Sequence, residues 1–144
     1  MRIRGEWGAH EAPYVRAVLI CPSLGIRSPL TFLVDSGATR TAILDHDAQN
    51  LMIPYDKLTR QPQGAVGVGG MAEAFLMRAI DLVFQADSGS HVERLLTIQV
   101  LRHPTRTERE RHAVLALPSV LGRDFLNKYE LRLNHKKRLV AIEG

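Results

Sequence analysis

Asp35 closes a short apolar run, residues 30–34, and is followed at once by Ser36, Gly37 and Ala38. A carboxylate at the end of a core strand is partly stripped of water, and burying a charge is unfavourable unless the group is paired or hydrogen-bonded. One chemical use fits that position. An aspartate there can activate water for attack on an amide if a second acidic group protonates or polarises the carbonyl. Two carboxylates a hydrogen bond apart cannot both ionise, so they share one proton and their pKa values split. The small neighbours suit such chemistry. Gly37 lets a backbone N–H approach the carboxylate, Ser36 can hydrogen-bond away from the site, and Ala38 leaves room for a substrate backbone. The bland alternative is an aspartate that caps its own turn.

The elements that would position Asp35 follow from the pattern around it. Gly and Pro punctuate the chain every ten residues or so, and the intervening runs are short and rich in Val, Ile, Leu and Phe. That pattern predicts a mostly β domain with tight turns. Strands are expected over 14–21 and 30–34, with a turn region at 22–29, and a short strand over 41–44. Asp45 is a plausible N-cap for one or two helical turns ending before Pro54. Residues 64–70 are glycine-rich, and 74–84 and 93–101 read as apolar runs separated by Asp87, Ser88, Gly89 and Ser90. A short helix is expected over 124–128, then two closing strands near 130–133 and 138–142.

Three segments, taken in order, resemble the retropepsin family of retroviral-type aspartic proteases and their cellular and bacterial relatives. Phe32, Leu33, Val34, Asp35, Ser36, Gly37 and Ala38 are similar to the family's active-site loop. The glycine-rich 64–70 segment stands where the family has its flap. Val120, Leu121, Gly122 and Arg123, with the residues up to 126, are similar to its apolar-apolar-Gly turn and following helix. Together these span residues 13–133. The resemblance implies a retropepsin-like acid-protease fold: a single β domain over residues 1–144 with one or two short helices. It also implies a role for each segment. Asp35 would be catalytic, with Ser36, Gly37 and Ala38 bracing it and contacting substrate. Val66, Gly67, Val68, Gly69, Gly70 and Met71 would form a flap that closes over an extended peptide. Val120, Leu121, Gly122 and Arg123 would support the aspartate loop. Asp-Ser-Gly replaces the viral Asp-Thr-Gly, and the charged stretch 102–112 looks like an insertion.

The mechanism needs two aspartates. A second Asp-Ser-Gly does occur at Asp87, Ser88 and Gly89, but Gln85 and Ala86 before it are not a buried apolar pair. Asp-Ser-Gly-Ser between two apolar runs is what a hairpin turn requires, because Gly tolerates positive φ. With one usable aspartate, the second must come from another copy of the chain. A C2 homodimer would face two Asp35 carboxylates across its axis, acting on a peptide or protein substrate without metal or cofactor.

The bulk properties set the other bounds. With 144 residues, 45% hydrophobic and 24% charged, the chain suits one globular domain. No stretch is long and apolar enough to span a membrane. Cys21 is the only cysteine, which excludes an internal disulfide and a cysteine metal cluster and fits a cytoplasmic location. Net charge is +4, yet Glu108 and Glu110 interrupt the densest basic stretch and no aromatic is interleaved to stack a base. That stretch reads as a solvated loop, not a nucleic-acid patch. His91, His103 and His112 match no compact ligand spacing and read as solvated histidines. Trp7 and Cys21 read as packing residues, and Arg123 as architectural. Gly67, Gly69 and Ala72 satisfy G-x-G-x-x-A, but no buried strand precedes them as a dinucleotide site demands. A peptide-binding or dimerisation module on the same fold is the non-enzymatic alternative.

Overall fold

The computed structural model describes residues 1–67 and 70–144. Along the chain come β1 (Arg2–Arg4), β2 (Glu6–Trp7), β3 (Pro13–Cys21), β4 (Ile26–Val34), β5 (Ala42–Ile43) and α1 (Asp45–Asn50). Then follow β6 (Thr59–Gly67), β7 (Gly70–Ala86), β8 (Gly89–Arg102), α2 (Glu108–Leu115), β9 (Ser119–Leu121), α3 (Arg123–Leu126), β10 (Glu130–Asn134) and β11 (Leu139–Glu143). The strands join one continuous, mostly antiparallel sheet in the order β10-β11-β1-β7-β8-β5-β9-β4-β3-β2, with β6 paired to β7. The mostly β expectation is met.

Period-two alternation builds the first hairpin. Val15, Ala17, Leu19 and Cys21 of β3 face inward with Leu30, Phe32 and Val34 of β4, while Arg16 and Thr31 point to solvent. The pairing runs from Tyr14 opposite Leu33 to Cys21 opposite Ile26. β4 therefore starts four residues earlier than the apolar run suggested, because cross-strand bonding carries Ile26 to Pro29 into the ladder.

The long hairpin of β7 and β8 serves two layers. Its buried residues are Ile80, Leu82, Phe84 and Ala86 near the turn, but Ala72, Ala74, Phe75 and Met77 toward the other end. On β8 the buried set changes parity in step, from Glu93 and Leu95 to Ile98 and Val100. The switch falls at Ala79, which has φ of 53°. One half packs on β3 and β1, and the other half pairs with β6. Phe125 of α3 closes the core, its ring stacked at 5.1 Å on Phe84 and 5.0 Å from Tyr129.

Several expectations are corrected. The helix near Asp45 forms, but Leu44 is its N-cap and Asp45 lies in its first turn with its carboxylate engaged elsewhere. The 102–112 stretch is not simply a solvated loop. Thr107 caps α2 by accepting from Glu110 N at 3.1 Å, while Glu110 Oε2 accepts from Arg106 N at 2.7 Å. This is close to the reciprocal capping box, a signal present in the sequence as Thr107 and Glu110 three residues apart. His103 is buried, and His91 on β8 is half-buried against Tyr129; His112 is exposed as expected. The helix near 124–128 is one turn, Arg123–Leu126. Residues 72–84, which a dinucleotide site would need as the helix after its glycines, are strand.

Candidate active site

Asp35 leaves β4 where β9 enters the sheet. β9 lies between two strands, parallel to β4 through Leu33 opposite Val120 and Val34 opposite Leu121, and antiparallel to β5 through Ala42 opposite Val120. The aspartate loop is thereby tied to the 120–123 segment by main chain: Asp35 N donates to Leu121 O at 3.1 Å and Arg123 N to Ala38 O at 2.8 Å. Gly122 is needed there. A Cβ on it would stand 2.5 Å from the carbonyl carbon of Arg40 and 2.7 Å from its oxygen, closer than atoms pack.

Side chains finish the brace. Both oxygens of Asp124 accept from Thr41 N at 3.0 Å, and Oδ1 also accepts from the Thr41 hydroxyl at 2.7 Å. The same hydroxyl oxygen accepts from Gly122 N at 3.1 Å. Thr41 is fully buried, so these bonds satisfy polar groups that would otherwise be unfavourable to bury. The Arg123 guanidinium donates to the carbonyls of Ser36 and Gly37 at 3.0 and 3.2 Å and to the Thr39 hydroxyl at 3.2 Å. Arg123 is thereby bonded to three residues of the loop, 36, 37 and 39. Thr41 and Asp124 carried no signal of their pairing in the sequence.

The result holds Asp35 half-buried at the floor of a cleft of about 720 Å³. Its Oδ1 accepts from Gly37 N at 2.9 Å, the approach that a glycine at this position was expected to permit. Gly37, Ala38, Leu33 and Val120 line the cleft too, as do Val66, Gly67 and Gly70 of the β6–β7 hairpin. Of the expected flap, Met71 lines a neighbouring hollow instead, and Val68 and Gly69 lie outside the described residues. Ser36 is exposed beside the cleft. Asp35 is the one carboxylate among the described residues that line it.

The root of this hairpin is fastened by charge and stacking. Arg102 on β8 pairs with Glu73 on β7, and its guanidinium carbon lies 4.6 Å from the Tyr55 ring centre and 5.1 Å from that of Phe75. The hydrogen bond from Arg102 is the main reason the Glu73 carboxyl is held below its usual range. At the other wall, His103 Nδ1 donates to Asp45 Oδ2 at 2.6 Å and His103 N to Asp45 Oδ1 at 2.7 Å. Both side chains are about 5% exposed or less. This pair, 58 residues apart, carries His103 to the cleft edge, and no local pattern announced it.

The second Asp-Ser-Gly turns the β7–β8 hairpin, with Ala86 paired to Gly89 and Gly89 at φ of 113°. Asp87 Oδ1 accepts from Arg2 N at 2.8 Å. It follows the end of β7 remote from β6, as its hairpin reading requires.

A family model described as aspartyl protease matches residues 25–125. The chain belongs to this aspartyl protease family. The matched span contains the aspartate loop, the β6–β7 hairpin and the glycine turn. No curated protein sequence matches the chain. Among solved structures, a retropepsin-like aspartic protease from Rickettsia conorii is similar over 99% of this chain and 90% of its own, at TM-score 0.56 and 17% identity. EIAV protease, solved with the inhibitor HBY-793, is similar over 88% of this chain and 98% of its own, at TM-score 0.53 and 18% identity. The fold is therefore retropepsin-like. No helix among the described residues is long and apolar enough to cross a membrane.

Proposed function

We propose that this aspartyl protease family member is an endopeptidase working as a homodimer, with Asp35 of each protomer forming the catalytic dyad. The observation that carries the reading is that Asp35, on a loop braced from β9 and α3, is the one carboxylate among the described lining residues of the cleft. Peptide hydrolysis by carboxylates takes two, so a twofold axis beside Asp35 supplies the other. Ser36, which is exposed, would cross to the partner loop.

The chemistry follows from two carboxyl groups sharing one proton. The ionised aspartate takes a proton from water as the water oxygen attacks the peptide carbonyl carbon. The protonated aspartate gives its proton to the carbonyl oxygen. Collapse of the tetrahedral diol breaks the C–N bond, and the leaving amine takes a proton from the dyad. The Gly37 N–H aimed at Asp35 Oδ1 fixes the carboxylate orientation throughout. The β6–β7 hairpin, from Val66 to Met71, serves as the flap that closes on an extended substrate and excludes water.

Two measurements test this together. Digestion of an unfolded protein mixture, across about pH 3.5 to 7.5 where a shared-proton dyad operates, should yield fragments with wild type and none with Asp35→Asn. Sedimentation at the assay concentration should show a dimer. A folded wild-type protein that cuts nothing, yet retains peptides, would replace the endopeptidase with a binding module. Cleavage by a strictly monomeric species would exclude the two-protomer dyad.

A further inference from the structure

We propose that Arg40 is a specificity-determining residue of the cleft, selecting peptides that carry an aspartate or glutamate at a fixed distance from the bond that is cut. The inference rests on the endopeptidase reading above and adds the chemistry of the substrate. Arg40 is exposed and lines the same cleft as Asp35, five residues further along the same loop. The walls around it are largely apolar, with Leu44, Leu101 and Val120 among them.

The other polar lining groups with long side chains are already engaged. Gln99 donates to Gln61 at 2.9 Å, and His103 is bonded to Asp45. Arg40 is different, being the one arginine or lysine among the described residues that line the cleft. Among the described residues, no carboxylate lies within 4.0 Å of Arg40.

Its backbone is also held unusually firmly for an exposed residue. The Arg40 carbonyl packs directly on the Cα of Gly122, and the next residue, Thr41, is bound through both N–H and hydroxyl to Asp124. The stem of the guanidinium therefore starts from a point fixed relative to Asp35. A planar fork of donors in that position suits a carboxylate better than a point charge would. Fixing the backbone in advance reduces the ordering cost of binding. In the C2 dimer each protomer contributes one Arg40, so the acidic preference should occur at matching positions on both sides of the cut.

A random synthetic decapeptide mixture is the probe, incubated with wild type, Arg40→Gln and Arg40→Glu. The ratio of Glu to Gln at each position of the cleaved products is read by mass spectrometry, which cancels differences in the amount of folded enzyme. Wild type should favour Glu at the selected positions by roughly 5- to 20-fold, the range for a charge-assisted bond in a half-open cleft. Arg40→Gln should bring that ratio close to one, and Arg40→Glu should turn the preference toward Lys and Arg. The same acidic preference in all three proteins, or none in wild type, overturns the assignment. If no protein cleaves anything, the endopeptidase reading fails separately. The composition of peptides retained by immobilised Asp35→Asn then decides Arg40: acidic enrichment lost on adding Arg40→Gln supports it, and its absence overturns it.

Discussion

Two copies of the tripeptide Asp-Ser-Gly occupy this chain, and they do unlike work. Asp35, Ser36 and Gly37 leave a core strand and are held from beneath by β9 and from the side by Arg123. Asp87, Ser88 and Gly89 are exposed and reverse the chain between β7 and β8. In the first, the glycine N–H is aimed at the carboxylate of its own aspartate. In the second, the glycine supplies a φ of 113° and the aspartate reaches across to the backbone of Arg2. Residue identity is the same at all three positions. What differs is the number of separate segments that converge on the tripeptide, and convergence is what turns a turn aspartate into a candidate catalytic group.

The sharpest way to break this contrast is to neutralise each aspartate in turn. Asp35→Asn should lower kcat/KM by roughly four orders of magnitude, as loss of a catalytic group does. Asp87→Asn should stay within about twofold of wild type, as for exposed sites away from any brace. Comparable losses in peptide cleavage assays would end the distinction. The glycines come next. Gly122→Ala forces a Cβ onto the Arg40 backbone, which cannot move aside, and should cost about 2–4 kcal/mol in urea unfolding. Gly89→Ala meets no atom within 4 Å, so only its positive φ opposes it, at about 1–2 kcal/mol. The reverse ranking would show that the loop beneath Asp35 is the softer of the two.

A smaller effect separates the hydroxyls. Thr41→Val removes the donor to Asp124 and the acceptor of Gly122 N, and should cost about 1–3 kcal/mol. Ser88→Ala at the exposed turn should change stability by less than about 0.5 kcal/mol in the same unfolding assay. The smallest expected effect is in acid. The hydrogen bond from Arg2 N is the main cause that lowers the Asp87 carboxyl below its ordinary 3.8. The stability it contributes is therefore full above pH 3.8 and is lost as pH falls through the lowered value. The melting-temperature difference between wild type and Asp87→Asn should be present near neutrality and vanish in strong acid. A difference that grows on acidification would contradict the Asp87–Arg2 contact.

Much of the candidate site was legible because its signals are local. An apolar run ending in Asp-Ser-Gly-Ala, a glycine-rich stretch and an apolar-apolar-Gly turn are each contained in a few neighbouring residues. The hairpin at Asp87 was legible for the same reason. What escaped were partnerships between segments far apart. Thr41 and Asp124 are separated by 83 residues, and Asp45 and His103 by 58, so no window of sequence contains both partners. His103 looked solvated because its neighbours are charged, yet α2 folds those charges outward while Asp45 draws the imidazole inward. The α2 cap was within reach, but the charge pattern hid it.

By itself, the sequence determined the strands of the main hairpins, their turns and the family, because alternation and turn chemistry act between residues one to four apart. It also determined that an aspartate would end an apolar strand beside a glycine. Only the tertiary structure decided which Asp-Ser-Gly would be braced, and which arginine would stand in the cleft without a carboxylate beside it. Those outcomes depend on β9 slotting between β4 and β5 and bringing Gly122 and Asp124 under residues 35–41. The physical reason is that close packing and buried hydrogen bonds reward complementarity between surfaces. That complementarity exists only after distant segments have met.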